Sequence, residues 1–146
     1  MLLPRGITGF FAPGGPPPAP QPVKPFQQLC HWMARENGGR FLSLDPSLAE
    51  KNFYAAHMEF RRVPIYLLLN AYAPYCAFAQ SLEHNTVVFL EPPAAALPPS
   101  GYRLLSLKEL NKDCREAAQA LGEAELEQIR YWKPRTVGEV VFNFWD

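Results

Sequence analysis

Residues 52–70 read NFYAAHMEFRRVPIYLLLN, and this stretch decides the fold. Its first half alternates. Tyr54, Ala56, Met58 and Phe60 fall on one face, and Phe53, Ala55, His57 and Glu59 on the other, the two-residue period of a β-strand. Arg61-Arg62 interrupts with two charges and reads as a polar hairpin tip. Val63, Ile65, Tyr66, Leu67, Leu68 and Leu69 follow with no polar face, as in a central strand covered on both sides. A half-polar strand, a two-residue tip and a two-sided apolar strand predict an antiparallel hairpin at the heart of a sheet.

Working downstream, Asn70–Pro74 turns the chain and Tyr75–Gln80 returns it. Ser81–Asn85 turns it again before Thr86–Leu90, TVVFL, rich in β-branched residues. Such short connections imply a meander. Residues 91–101, EPPAAALPPSG, form a Pro-rich loop. Upstream, Arg40–Leu44 is a further strand, ended by Asp45-Pro46. Phe26, Leu29, Cys30, Met33 and Ala34 form an i, i+3, i+4 stripe over a helix at Phe26–Asn37, stopped by Gly38-Gly39. Residues 12–25 hold seven of the sixteen prolines. They read as an extended arm on the surface, with an SH3-type ligand as the other reading of the same composition.

Beyond the loop, Ser106 and Glu109 have capping-box spacing. Leu107, Leu110, Cys114, Ala117, Ala118 and Leu121 then share one face of a helix that Gly122 ends. Glu123–Trp132 reads as the next helix, with Leu126 and Ile129 inward and Pro134 as its stop. Thr136 and Glu139 repeat the capping-box spacing before Val137, Val140, Val141 and Phe144. There the pattern leaves helix and strand open for Val140–Phe144. The expected fold is α+β: one domain over 1–146, a Pro-rich arm at 1–25, and an antiparallel meander packed with N-terminal and C-terminal helices at 26–146.

Composition narrows the function. The chain has 146 residues, 48% hydrophobic and 13% aromatic, with 14 basic and 14 acidic side chains. That is enough apolar material for a core, and a pI of about 6.8 gives no electrostatic footprint for nucleic acid or anionic lipid. The opening residues lack a signal-peptide pattern, because Pro4, Gly6 and Gly9 interrupt them. Three scattered cysteines, Cys30, Cys76 and Cys114, suit core positions in a reducing cytosol. A soluble, cytoplasmic protein without partners among nucleic acids or membranes is expected; its oligomeric state is not readable.

No catalytic motif emerges. His31, His57 and His84 have no metal-ligand spacing, no glycine-rich phosphate loop occurs, and no carboxylate pair suits acid–base work. The expectation is no enzyme activity, no metal and no cofactor. Glu123, Glu125 and Glu127 read as a solvated helical face or as an acidic patch for a basic partner. Tyr131, Trp132, Phe142, Phe144 and Trp145 crowd the C-terminus, as a second small core or an exposed surface for a protein partner.

Two segments carry a resemblance. The opening residues 3–10, LPRGITGF, and the closing residues 131–146, YWKPRTVGEVVFNFWD, resemble small bacterial immunity proteins encoded beside polymorphic toxins of type VI and contact-dependent secretion systems. The resemblance implies a cytoplasmic protein that binds a cognate toxin and occludes its active or substrate-binding surface. Many such proteins are acidic; the neutral charge here departs from that and disfavours a basic nuclease as the toxin. An effector-binding adaptor or chaperone of a secretion system is the alternative. Contact is expected from loops. Tyr72 and Tyr75, stiffened by Pro74, come first; Glu83 and His84 follow, expected on the same edge of the sheet; Glu123, Glu125 and Glu127 are next.

Overall fold

A computed structural model describes residues 1–93 and 100–145 of the chain. The middle of the Pro-rich loop expected at 91–101 lies outside the described residues, as does Asp146. Helix α1 (Val23–Glu36) precedes β1 (Gly39–Asp45), β2 (Phe53–Phe60), β3 (Val63–Asn70), β4 (Tyr75–Ser81) and β5 (Val88–Leu90). A short β6 (Arg103–Leu104) leads into α2 (Leu107–Leu110), α3 (Cys114–Ala117), α4 (Glu123–Trp132) and α5 (Val137–Val141). The strands pair antiparallel in the order β1-β2-β3-β4-β5, and β6 runs parallel to the start of β4. The fold is α+β, a meander packed between helices from both ends of the chain.

The hairpin forms as its pattern predicts, with Phe60 paired to Val63 across the two-residue Arg61-Arg62 turn. Strand β3 is central, but it is not alone in being buried on both faces. Phe53 to Ala56 in β2 and Cys76 to Ala79 in β4 are also closed on both sides. Alanines fill half of those positions, Ala55, Ala56, Ala77 and Ala79, so the strands are closed on both faces without a continuous run of large apolar residues.

Each face of the sheet has its own core. On one side Phe26, Leu29, Cys30, Met33 and Ala34 of α1 pack onto Tyr54, Ala56, Met58, Leu67 and Phe78. On the other, Leu3, Ile7, Leu110, Val137, Val140 and Val141 pack onto Phe53, Ala55, Leu68 and Ala77. Gly138 lets α5 approach β5, since a Cβ there would stand 2.6 Å from the Phe89 ring.

Local boundaries differ from the expectation in three places. Helix α1 starts at Val23, inside the expected arm, because Pro25 sits in the first turn, where no backbone N–H is needed. The helix expected to run from Leu107 to Leu121 breaks at Asn111–Asp113. Asp113 caps a new turn by accepting from the Arg115 N–H (2.8 Å) and bridges to Thr136. The last element is helical at Val137–Val141, with Thr136 accepting from the Glu139 N–H. The Glu139 carboxylate takes the N–H of Arg135, not that of Thr136, so this cap lacks the reciprocal half of a capping box.

Candidate functional site

The two chain ends meet at one end of the sheet. Asn52, just before β2, and Asn70, the last residue of β3, are buried and reach out with their amides. Asn52 and Asn70 both donate to the Ile7 carbonyl (3.0 Å each), and Asn70 also donates to the Val141 carbonyl (2.6 Å). Asn143 closes the ring, its N–H on Asn52 Oδ1 (2.8 Å) and its carbonyl taking the Asn52 N–H. A second tie comes from Glu125, only 1% exposed. Its carboxylate accepts from the N–H groups of Gly6 and Thr8, the Thr8 hydroxyl and the Gly122 N–H. Each donor is satisfied, so the carboxylate is held in place of water.

Over this joint runs a band of aromatic side chains. Phe10 lies 6.4 Å from Trp145; Trp145 lies 6.4 Å from Trp132 with nearly parallel rings (2°); Trp132 meets Tyr131 edge-on at 5.2 Å. Tyr131 is 76% exposed and Trp132 40%. Trp132 is the last residue of α4. The chain turns there through Lys133 in the left-handed region (φ +52°), and Pro134 forbids continuation. The indole N–H donates to Gln128 Oε1 one turn earlier (3.0 Å), which fixes the ring.

A hollow opens on each side of the band. One, of about 520 Å³, is lined by Asn85, Thr86, Phe89, Trp132, Phe142 and Trp145. The other, of about 210 Å³, is lined by Thr8, Phe10, Lys51, Tyr72 and Trp145. Between them the band stands as a partly exposed aromatic ridge with polar rims.

The residues expected to bind a partner are scattered. Tyr72 shares the lining of the smaller hollow with Phe10 and Trp145: half-buried, it lies against Gly9, where a Cβ would come within 2.9 Å of its ring. Burial pushes its phenol above the ordinary value. Tyr75 packs on the core of the sheet face opposite α1 and carries the Arg103 guanidinium over its ring, 5.9 Å away. Glu83 and His84 are exposed in a 3₁₀ turn after β4. That turn and the Tyr72 loop follow one another along the chain, so β4, seven residues long, places them at opposite ends of the sheet, not on one edge. Asn85 beside them does reach the larger hollow. Glu123 is paired with Arg130 (2.8 Å) and Glu127 is exposed, whereas Glu125 is an internal tie and not part of a solvated face. The crowded C-terminus divides: Phe142 is core, Phe144 packs edge-on to Phe53, and Tyr131 and Trp132 face solvent.

Among the described residues, the cysteines and the Ser43, Asp45 and His57 group are not arranged as a reaction centre. All three cysteines are buried; desolvation pushes the Cys30 thiol up to about 12 and raises Cys76 and Cys114 too, the opposite of an activated nucleophile. Ser43, His57 and Asp45 line a third hollow of about 290 Å³. However, Asp45 is engaged by Lys51 (3.1 Å) and the Ser47 N–H, and His57 stacks on Tyr66 at 4.5 Å, with no hydrogen bond joining the three. Among the described residues, no three His, Cys, Asp or Glu side chains group to hold a metal, and no helix is long and apolar enough to cross a membrane.

The sequence marks Glu125 only as a candidate for partner contact, not as a buried tie, and nothing in it marks Asn52, Asn70 and Asn143 as the joint between the chain ends. No protein-family model, curated protein or solved structure matches the chain.

Proposed function

We propose that the chain is an immunity factor: a cytoplasmic protein that binds a cognate secreted toxin one-to-one and blocks it by covering its active or substrate-binding surface. The observation that carries this reading is the aromatic band built by residues 10, 131, 132 and 145, exposed at Tyr131 and Trp132. It lies within the two segments whose sequence resembles immunity proteins. Those segments form both the scaffold and the band, so one constraint on sequence serves folding and contact together. Neutralisation by occlusion needs no titratable group; it needs a few large anchors in a pre-set surface, because rigid aromatics lose little freedom on binding. Trp132, held by Gln128, and Trp145, stacked against it, are such anchors.

The test is co-expression with the toxin encoded in the adjoining reading frame. The chain should relieve its lethality, and binding should weaken by about 2–4 kcal/mol on Trp132→Ala and less on Tyr131→Ala, both with native melting. A toxin that remains lethal in the presence of the chain defeats the reading.

A further inference from the structure

At the far end of the sheet from the Tyr72 loop, the β2–β3 hairpin turns through Arg61 and Arg62, both with positive φ (49° and 70°). A two-residue hairpin of this kind favours Asn-Gly, since Asn tolerates the left-handed region and Gly has no Cβ to clash. Two arginines there are a costly choice, and both are exposed. Strain of this sort gathers where side chains have work to do.

The tip does not stand alone. The Arg61 stem lies over Gly38, whose ideal Cβ would sit 3.8 Å from Arg61 Cγ, and the Gly38 N–H is bonded to the Arg35 carbonyl. Arg40, at the start of β1, pairs with Glu59 (3.4 Å). Among the described residues, Arg35, Arg61 and Arg62 make no ion pair. The end of α1, the start of β1 and the hairpin tip thus meet at one end of the sheet and carry Arg35, Arg61 and Arg62 together with Arg40.

We infer that this arginine tip is a second contact site, one that takes an acidic segment of a partner protein. Guanidinium forks grip carboxylates in bidentate fashion. A nucleic acid fits less well: it needs a run of cations tracking a phosphate backbone, and here Glu36 and Glu59 interrupt the patch in a chain of zero net charge. The inference is independent of the aromatic band.

The decisive variant is Arg61→Asn/Arg62→Gly in the full chain, because it removes the charges while giving the turn its preferred residues. The probe is a fluorescent deca-glutamate peptide, read by anisotropy at about 20 mM and about 300 mM salt. The parent should bind it at low salt and release it at high salt. The variant should bind at least about tenfold more weakly yet melt about 3 °C or more higher. Arg130→Asn, elsewhere on the surface, should bind as the parent does. Unchanged peptide affinity in the double variant overturns the site. So does a lowered melting temperature, which would make the arginines structural. Tighter binding of an oligothymidine of equal length, at equal salt, would replace the acidic protein by nucleic acid and overturn the proposal.

Discussion

Helix α1 covers its face of the sheet with five buried side chains from one run of fourteen residues. The opposite face is covered by pieces: the first residues of the chain, three helices of four or five residues, the ten-residue α4, and the C-terminal tail. A single long helix needs only an apolar stripe to dock. Short helices are too short to hold themselves. Their layer is tied instead by buried polar groups spanning 45 to 119 residues of sequence, with Asn52, Asn70 and Asn143 at one joint and Glu125 at the other. One layer is encoded locally, the other by distant residues that meet only in the folded chain.

Breaking the second layer at its carboxylate has the largest expected effect. Glu125→Ala strands the Gly6 and Thr8 donors and should cost about 4 kcal/mol, seen as a large fall in melting temperature. Deleting residues 1–11 should also destabilise, since Leu3 and Ile7 are fully buried. The two changes should not add. Most of the partners of Glu125 lie in the deleted segment, so combining them should cost little more than the deletion alone. Full additivity would mean that the carboxylate does not hold the arm.

This contrast also explains what was legible in the sequence. The meander, the stripe of α1 and the capping box at Ser106 were readable because each is a pattern within a few residues. The break at Asn111–Asp113 was not, because it depends on Arg115 and on a bridge to Thr136 across the layer. Glu125 sat between two exposed glutamates at i±2, and nothing local marks the middle one as buried. Apart from the Gly122 N–H, its donors are the backbone N–H groups of Gly6 and Thr8 and the Thr8 hydroxyl, more than a hundred residues away. The aromatic band was half visible: the crowding at 131–145 shows in the sequence, but the division between Phe142 in the core and Trp132 in solvent follows from where α4 stops. The pairing of Tyr72 with Glu83 on one edge failed on simple parity, since successive turns of a meander alternate ends.

The α1 layer should yield to a packing change of ordinary size. Met33→Ala leaves a cavity against Met58 and Leu67 and should cost about 3 kcal/mol, measured by denaturant titration. Combined with Glu125→Ala, on the far side of the sheet, the losses should sum to within about 0.5 kcal/mol. A strong coupling between them would show that the sheet transmits strain from one layer to the other and that they are not separate units.

The smallest effect separates the layers by pH. In α2, the Glu109 carboxylate accepts the Ser106 N–H (3.0 Å) while Ser106 Oγ accepts the Glu109 N–H (3.1 Å), and the Arg103 guanidinium touches the other carboxylate oxygen. The Ser106 backbone bond, chiefly, outweighs desolvation and with Arg103 holds this carboxyl below its ordinary value of 4.5. A carboxyl lowered by folding stabilises above its unfolded pKa, and that stability is lost as pH falls through the lower folded value. Glu109→Ala should therefore cost about 1 kcal/mol at neutral pH and progressively less below pH 4.5, until parent and variant converge. Helix α1 has Pro22 at its N-cap, no side-chain cap and no acidic residue in its first turn, so its own start offers no such contribution to lose in acid. Stability curves of parent and Glu109→Ala that run parallel down the acid side would show the cap to be held by geometry alone, with no electrostatic share.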